Sequence, residues 1–200
     1  MRHSEKFESW STYRDDHLAV ISSLEFLKIG EQIENAALQV VEVLQGGGRL
    51  LVAGNGGSAS DANHIVGELV GTFLSHRKGL DVISLAANST VLTAWGNDFE
   101  FDTVFARQVE AHLKPGDVLL LLSTSGESKN ILAAAQTAVD MGGVIIALTG
   151  QGPNSLSECA NTAICIPSTT TSIIQEAHMV CYHYMCSVIE KKTNVHSLLT

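Results

Sequence analysis

The chain has 200 residues, 12 lysines and arginines against 21 aspartates and glutamates, and a formal net charge of −9. That length suits one domain around a sizeable core, and the acidic balance argues against a nucleic-acid groove or an anionic membrane surface as the principal partner. Any phosphate held here must be bound locally, by backbone donors and hydroxyls more than by a basic field.

Apolar residues make up 45% of the chain and charged ones only 16%, which leaves little charge to cover a monomer and points to buried subunit interfaces. The cysteines (Cys159, Cys165, Cys181 and Cys186) include no CxxC pair and no signal peptide opens the chain, so reduced thiols in a cytoplasmic protein are expected. No apolar run approaches the ~18 residues that span a bilayer.

From about Asp15 to Gln45, apolar residues recur at helical spacing: Leu18, Ile21, Leu24, Phe26 and Leu27, then Ile33, Ala37, Val40, Val41 and Leu44. Gly30 marks a break between two helices, and Gly46, Gly47 and Gly48 end them. Ile29 and Val43 widen the apolar stripe and are candidates for packing against another subunit. Residues 1–48 thus read as N-terminal oligomerisation helices of a single domain whose α/β core spans 49–192. The tails, 1–14 and 194–200, are polar enough to fray.

After Gly48 the pattern switches to short β-rich runs at Arg49–Ala53, Asp81–Leu85, Asp117–Leu122, Val144–Leu148 and Thr162–Ile166. They are nearly continuous hydrophobics, as in parallel strands buried on both faces. Between them the spacing predicts helices at Ser60–Phe73, Ser89–Ala94, Thr103–His112 and Ser128–Met141, a short turn at Asn154–Ala160, and a long helix from Ser172 to Lys192. This is an α/β, doubly wound, five-stranded parallel sheet of flavodoxin-like type, with N-terminal helices and a long C-terminal helix. Ligands of such sheets sit outside the carboxyl ends of the strands, where the strand order reverses.

Two strand–turn–helix junctions offer chemistry there. Gly54-Asn55-Gly56-Gly57-Ser58 permits close approach of backbone N–H groups, and Ser123-Thr124-Ser125-Gly126-Glu127-Ser128 adds hydroxyls and a second helix start. Both suit a phosphate monoester; an N-cap in a serine-rich turn is the plain alternative. The chain has no Walker lysine and no G-x-G-x-x-G, so neither a nucleoside triphosphate nor a dinucleotide is implied. His64 and Glu68, four residues apart, share a helix face as metal ligands, as a base and its neighbour, or as a surface pair. His178 and His183 lie in an otherwise apolar helix, where a hydrogen-bonded core histidine is the commoner case. Gln175 and His183 are roughly 12 Å apart along that helix, so they cannot chelate alone without a bend or long side chains reaching inward; they need a partner helix, which the His64/Glu68 face could supply. Asp98, in Gly96-Asn97-Asp98-Phe99, either meets sugar hydroxyls or turns the chain.

Taken together, Ala53–Ser58, the Asp61, His64, Glu68 helix, Gly96–Phe99, Ser123–Gly126 and Ile174-Gln175-Glu176-Ala177-His178 resemble the sugar isomerase (SIS) domain, and within it the phosphoheptose isomerases, from about residue 15 to 192. The resemblance implies an isomerase converting sedoheptulose 7-phosphate to D-glycero-D-manno-heptose 7-phosphate through an enediol, for heptose in lipopolysaccharide-type glycans. It implies a cytoplasmic homotetramer with interfacial active sites and one zinc ion per subunit on His64, Glu68, Gln175 and His183. Glu68 and His183 would be catalytic. Asn55, Gly56, Gly57, Ser58, Asp61, Asn97, Asp98, Ser123, Thr124, Ser125, Ser128 and Gln175 would bind substrate. A non-catalytic relative that binds the replication initiator DnaA lacks the glutamate and the final histidine, so Glu68 and His183 favour the enzyme over a module that only binds a sugar phosphate or a protein. Three positions depart from the isomerase pattern: Thr72 replaces an arginine, Ile173 a basic residue, and Pro167–Thr171 lacks an aspartate. They leave another phosphosugar open as substrate, with Arg77, Lys78 or Lys129 as replacement cations.

Overall fold

The computed structural model describes residues 9–26 and 28–194, with the backbone alone at Phe26. Leu27 of the N-terminal stripe, and residues 1–8 and 195–200 of the tails, lie outside the described residues. Residues expected to fray at 10–14 are helical, in α1 (Trp10–Phe26). The break before α2 (Ile29–Gln45) falls at Lys28, which takes a left-handed φ of 53°, and not at Gly30, which the helix absorbs.

Five parallel strands follow: β1 (Leu50–Gly54), β2 (Val82–Ser84), β3 (Val118–Ser123), β4 (Val144–Thr149) and β5 (Thr162–Cys165), in the order β2-β1-β3-β4-β5. Between them lie α3 (Gly57–Val70), α4 (Ser89–Asp98), a 3-10 turn at Phe101–Thr103, α5 (Val104–His112), α6 (Lys129–Asp140) and α7 (Ser155–Cys159). The last helix is α8 (Thr171–Asn194). The order reverses between β1 and β3, so the two glycine and serine junctions emerge side by side at the switch point, Gly54 paired with Leu122.

The continuous apolar runs are explained by burial on both faces. Leu50 and Val52 of β1, with Val118, Leu120 and Leu122 of β3, face the layer built by α2, α3 and α8. Leu51, Ala53, Leu119 and Leu121 face α5, α6 and α7. Ile29, expected to pack against another subunit, is 3% exposed and belongs to this chain's own core, and Val43 packs against the same core. Among the described residues no helix is long and apolar enough to cross a membrane. All four cysteines are free.

His178 is the core histidine of α8: it is fully buried and its Nε2–H reaches the Thr149 carbonyl at 3.2 Å, tying α8 to the end of β4. Burial pushes its pKa down to about 4, against a smaller upward pull from that carbonyl. The folded value lies below the unfolded one, so the unfolded chain protonates first as pH falls. The stability carried by the neutral ring is complete above about pH 6.5 and is withdrawn towards pH 4, a loss of roughly 3 kcal/mol. Urea midpoints of the native chain should drop across that interval, and His178→Gln should flatten the drop.

Candidate active site

At the end of β1 the chain must turn with almost no room. A side chain at Gly54 would collide with the Ser58 backbone, and Gly56 adopts φ 56°, ψ −119°, a conformation glycine alone tolerates readily. Ser58 is buried in the first turn of α3. Beside it, Ser123 Oγ accepts the Gly126 N–H at 3.2 Å and donates to Ser128 Oγ at 3.3 Å, while Ser125 Oγ accepts the Glu127 N–H at 3.1 Å. Ser128 is the N-cap of α6, yet its side chain makes no capping bond. Capping therefore does not account for this hydroxyl, which lies with Thr124 and Ser125 at the rim of a helix N-terminus, where anions are favoured.

The two junctions are held together by a reciprocal amide pair: Asn55 Nδ2 donates to Asn130 Oδ1 at 2.8 Å and Asn130 Nδ2 to Asn55 Oδ1 at 2.9 Å. Asn55 thus spends its carboxamide on locking the cradle, and its backbone is what faces the turn. Glu127 is anchored outward by the Ser155 N–H and hydroxyl at 2.8 and 2.7 Å, which lower its pKa.

Beneath the cradle, α8 runs parallel to α3, and the seam between them assembles the charged groups. Gln175 lies over the first turn of α3, where a Cβ at Gly57 would sit 2.5 Å from its Nε2. Two turns further along, His183 reaches His64, the two Nε2 atoms 3.4 Å apart, and His64 Nε2 is 3.0 Å from Glu68 Oε1. The ligand atoms of His64, Glu68 and His183 all lie within 4.8 Å of one another. Gln175 sits further along the seam: Gly57, which it covers, and His64 are separated by about 10 Å of helical rise.

Tyr182, buried one position before His183, orders the cluster. Its hydroxyl is 3.3 Å from Asp61 Oδ1 and 3.0 Å from His64 Nδ1. With the phenol O–H donating to the Asp61 carboxylate, His64 Nδ1–H donates to the phenol oxygen, and the Nε2 lone pair is left facing Glu68 and His183. Two imidazole nitrogens and a carboxylate converging in this way is a donor set that a divalent cation satisfies. Burial raises the Asp61 pKa against the opposing pull of Tyr182. Burial and the neighbouring His64 lower that of His183, with Glu68 and Asp61 opposing, which favours a neutral ring.

Three further placements bear on substrate. Asn97 and Asp98 end α4, exposed and bonded to each other at 2.8 Å. Ile173 is buried in the first turn of α8, whereas Thr72 is exposed. Of the replacement cations, Arg77 is excluded: its side chain is 2% exposed and its guanidinium donates to the carbonyls of Leu69 and Glu68 at 2.7 and 2.8 Å. Lys78 is exposed, and Lys129 stands beside the cradle, 3.3 Å from Asp102.

In the sequence Tyr182 falls in the otherwise apolar helix of His178 and His183 and stands out by no motif. A buried tyrosine needs a partner for its hydroxyl, and that requirement was the available signal. Phe73, whose ring stacks on His183 with centroids 5.6 Å apart, carried no such signal.

Residues 12–150 match the SIS domain family model. The chain is 46% identical over 151 residues to a phosphoheptose isomerase of Crocosphaera subtropica, covering 76% of this chain and 77% of that one. Over 176 residues it is 42% identical to the phosphoheptose isomerase of Citrifermentans bemidjiense, covering 88% and 91%. Its fold superposes on the phosphoheptose isomerase GmhA of Neisseria gonorrhoeae with a TM-score of 0.84 at 32% identity, covering 90% of this chain and 96% of that one.

Proposed function

The chain belongs to the SIS-domain family and is an isomerase of the phosphoheptose isomerase kind, and from that premise we propose that it converts sedoheptulose 7-phosphate to D-glycero-D-manno-heptose 7-phosphate. The observation that carries this reading is the convergence of Glu68 with His64 and His183 across the α3–α8 seam. The setting is cytoplasmic, and the product serves heptose-containing glycans of the lipopolysaccharide type.

The reaction moves a proton from C1 of the ketose to C2 while the carbonyl passes from C2 to C1, by way of an enediol. Glu68 takes the C1 proton and returns it to C2. Its Oε1 is directed at His64, and the second carboxylate oxygen is the one assigned to the proton. His183, neutral at physiological pH, can give a proton at O2 and accept one at O1. Ser58, Ser123, Thr124, Ser125 and Ser128, with the N–H groups that open α3 and α6, hold the phosphate. His64, Glu68 and His183 would hold one zinc ion per subunit, which would supply Lewis-acid polarisation of the carbonyl.

The cradle and the His/Glu/His cluster are half-sites, and two copies combine to make one centre. Ser58 and Glu68 lie ten residues apart on α3, about 15 Å along its axis, and Gln175 and His183 about 12 Å apart on α8. In this arrangement one copy's cluster would work on a sugar whose phosphate sits in a second copy's cradle, and Gln175 beside that cradle would be available to the same metal. The homotetramer supplies that arrangement.

Tyr182→Phe removes the acceptor that holds the proton on His64 Nδ1. It should weaken zinc binding roughly 10- to 100-fold, measured by competition with a chromophoric chelator, with circular dichroism unchanged.

NMR of the products from ketose phosphates of differing chain length tests the reaction. The seven-carbon substrate is expected to give the highest kcat/KM. Preference for a shorter chain would assign another phosphosugar, and binding without turnover would make this a non-catalytic module.

A further inference from the structure

Beyond the reacting groups, α8 carries a buried carboxylate that the mechanism leaves unused. Glu190 is 2% exposed, deeper than any residue of the candidate active site so far given a chemical role except Tyr182, and its carboxylate is fully engaged. Oε1 accepts the Phe73 N–H at 3.2 Å, and Oε2 accepts the Leu74 and Ser75 N–H groups at 2.8 and 3.1 Å. Arg77 Nε lies 3.3 Å from Oε1. Burial raises the Glu190 pKa, but the Leu74 and Phe73 N–H groups and the Arg77 charge outweigh it and hold the carboxyl below its ordinary value.

Two partners of this carboxylate, Arg77 and Phe73, lead to reacting side chains. The Arg77 guanidinium donates at 2.8 Å to the main-chain carbonyl of Glu68 itself, and at 2.7 and 3.1 Å to those of Leu69 and Lys78. It thereby caps the open C-terminal turn of α3, where carbonyls lack intrahelical donors. Phe73, fixed through its N–H, lays its ring on His183 at an interplanar angle of 17°. Neither Phe73 nor Arg77 lies within α3, which stops at Val70; both belong to the segment that follows it, which Glu190 ties to α8.

We infer that Glu190 is a positioning residue for the isomerisation: through Arg77 it sets the main chain at Glu68, and through Phe73 it sets the ring plane of His183. The inference rests on the catalytic assignment of Glu68 and His183 made above. A carboxylate in this role fixes both groups from one point on α8, so a fault in the clamp misplaces the base and the imidazole together.

The test measures kcat and KM separately, per folded molecule, for Glu190→Gln, Phe73→Leu, Phe73→Tyr and, as reference, Glu68→Gln. Phe73→Leu keeps the backbone bond to Glu190 and removes the ring from His183. It should lower kcat about 10- to 100-fold, with KM changed less than about threefold, while Phe73→Tyr, which keeps the ring, should retain most of the rate. Glu190→Gln should show the same kcat-weighted loss. Should that chain fail to fold because Arg77 is left buried and unpaired, the Phe73 pair decides alone. Wild-type kcat in Phe73→Leu, with only the melting temperature lowered, overturns the clamp. A Glu68→Gln chain that turns over normally overturns the catalytic assignment and the clamp with it, whereas an inactive Glu68→Gln beside a fully active Phe73→Leu overturns the clamp alone.

Discussion

Glu68→Gln is expected to lower kcat by about 10²- to 10⁴-fold, the usual contribution of a positioned general base. The substitution keeps the shape of the side chain and one oxygen towards His64 Nε2, 3.0 Å away in the native chain, so helix α3 and the seam should survive. Because the serine cradle lies two to three turns away at the other end of α3, binding of a sugar phosphate should be nearly unchanged. The same variant also weakens a metal ligand, so zinc content must be read beside the rate. A chain that retains zinc and substrate binding but not turnover isolates the loss of the base. Near-normal turnover would remove Glu68 from the mechanism.

The second large effect concerns Gln175 and His183, which share one helix and, in the proposed shared centre, serve different half-sites. His183→Ala removes a metal donor and the proton carrier at O1 and O2; Gln175→Ala removes the amide that lies over Gly57 beside the cradle. Each homogeneous variant should lose at least about 10²-fold in rate, because every centre in its assembly has lost one of its two contributions. The proposed division rests on the continuity of α8 from Thr171 to Asn194, which keeps Gln175 and His183 about 12 Å apart along one axis.

Much of this was legible in the sequence, for identifiable reasons. Strands buried on both faces leave continuous apolar runs, so β1, β3 and β4 could be placed to within a residue or so, and alternation of strand and helix implied a parallel sheet; the strand order came only with the structure. The N-terminal break was misplaced because glycine is the ordinary signal, yet Gly30 sits comfortably inside α2 while Lys28 takes the left-handed turn. Ile29 read as an interface residue because periodicity shows that a face is apolar but not what covers it; the covering surface is the chain's own core.

Within the site, residue types and spacing could suggest His64 with Glu68, but His178 and His183 are alike as letters in one apolar helix. Only the packing of α8 on α3 separates the core histidine bonded to Thr149 from the one facing His64. Arg77 looked like a free cation near the site because nothing local reveals Glu190, more than a hundred positions away, as its partner. Tyr182 and Phe73 likewise take their roles from contacts across the seam, which no spacing rule encodes.

The division of the centre between copies is tested most directly by mixing inactive chains. Gln175→Ala and His183→Ala proteins, dissociated together and reassembled at equal concentration, should recover about a quarter of the wild-type rate with sedoheptulose 7-phosphate, since random assembly leaves half of the clusters and half of the cradles intact. If one chain built a whole centre alone, every centre in the mixture would carry a defect, and the mixture would be no more active than the variants assayed apart.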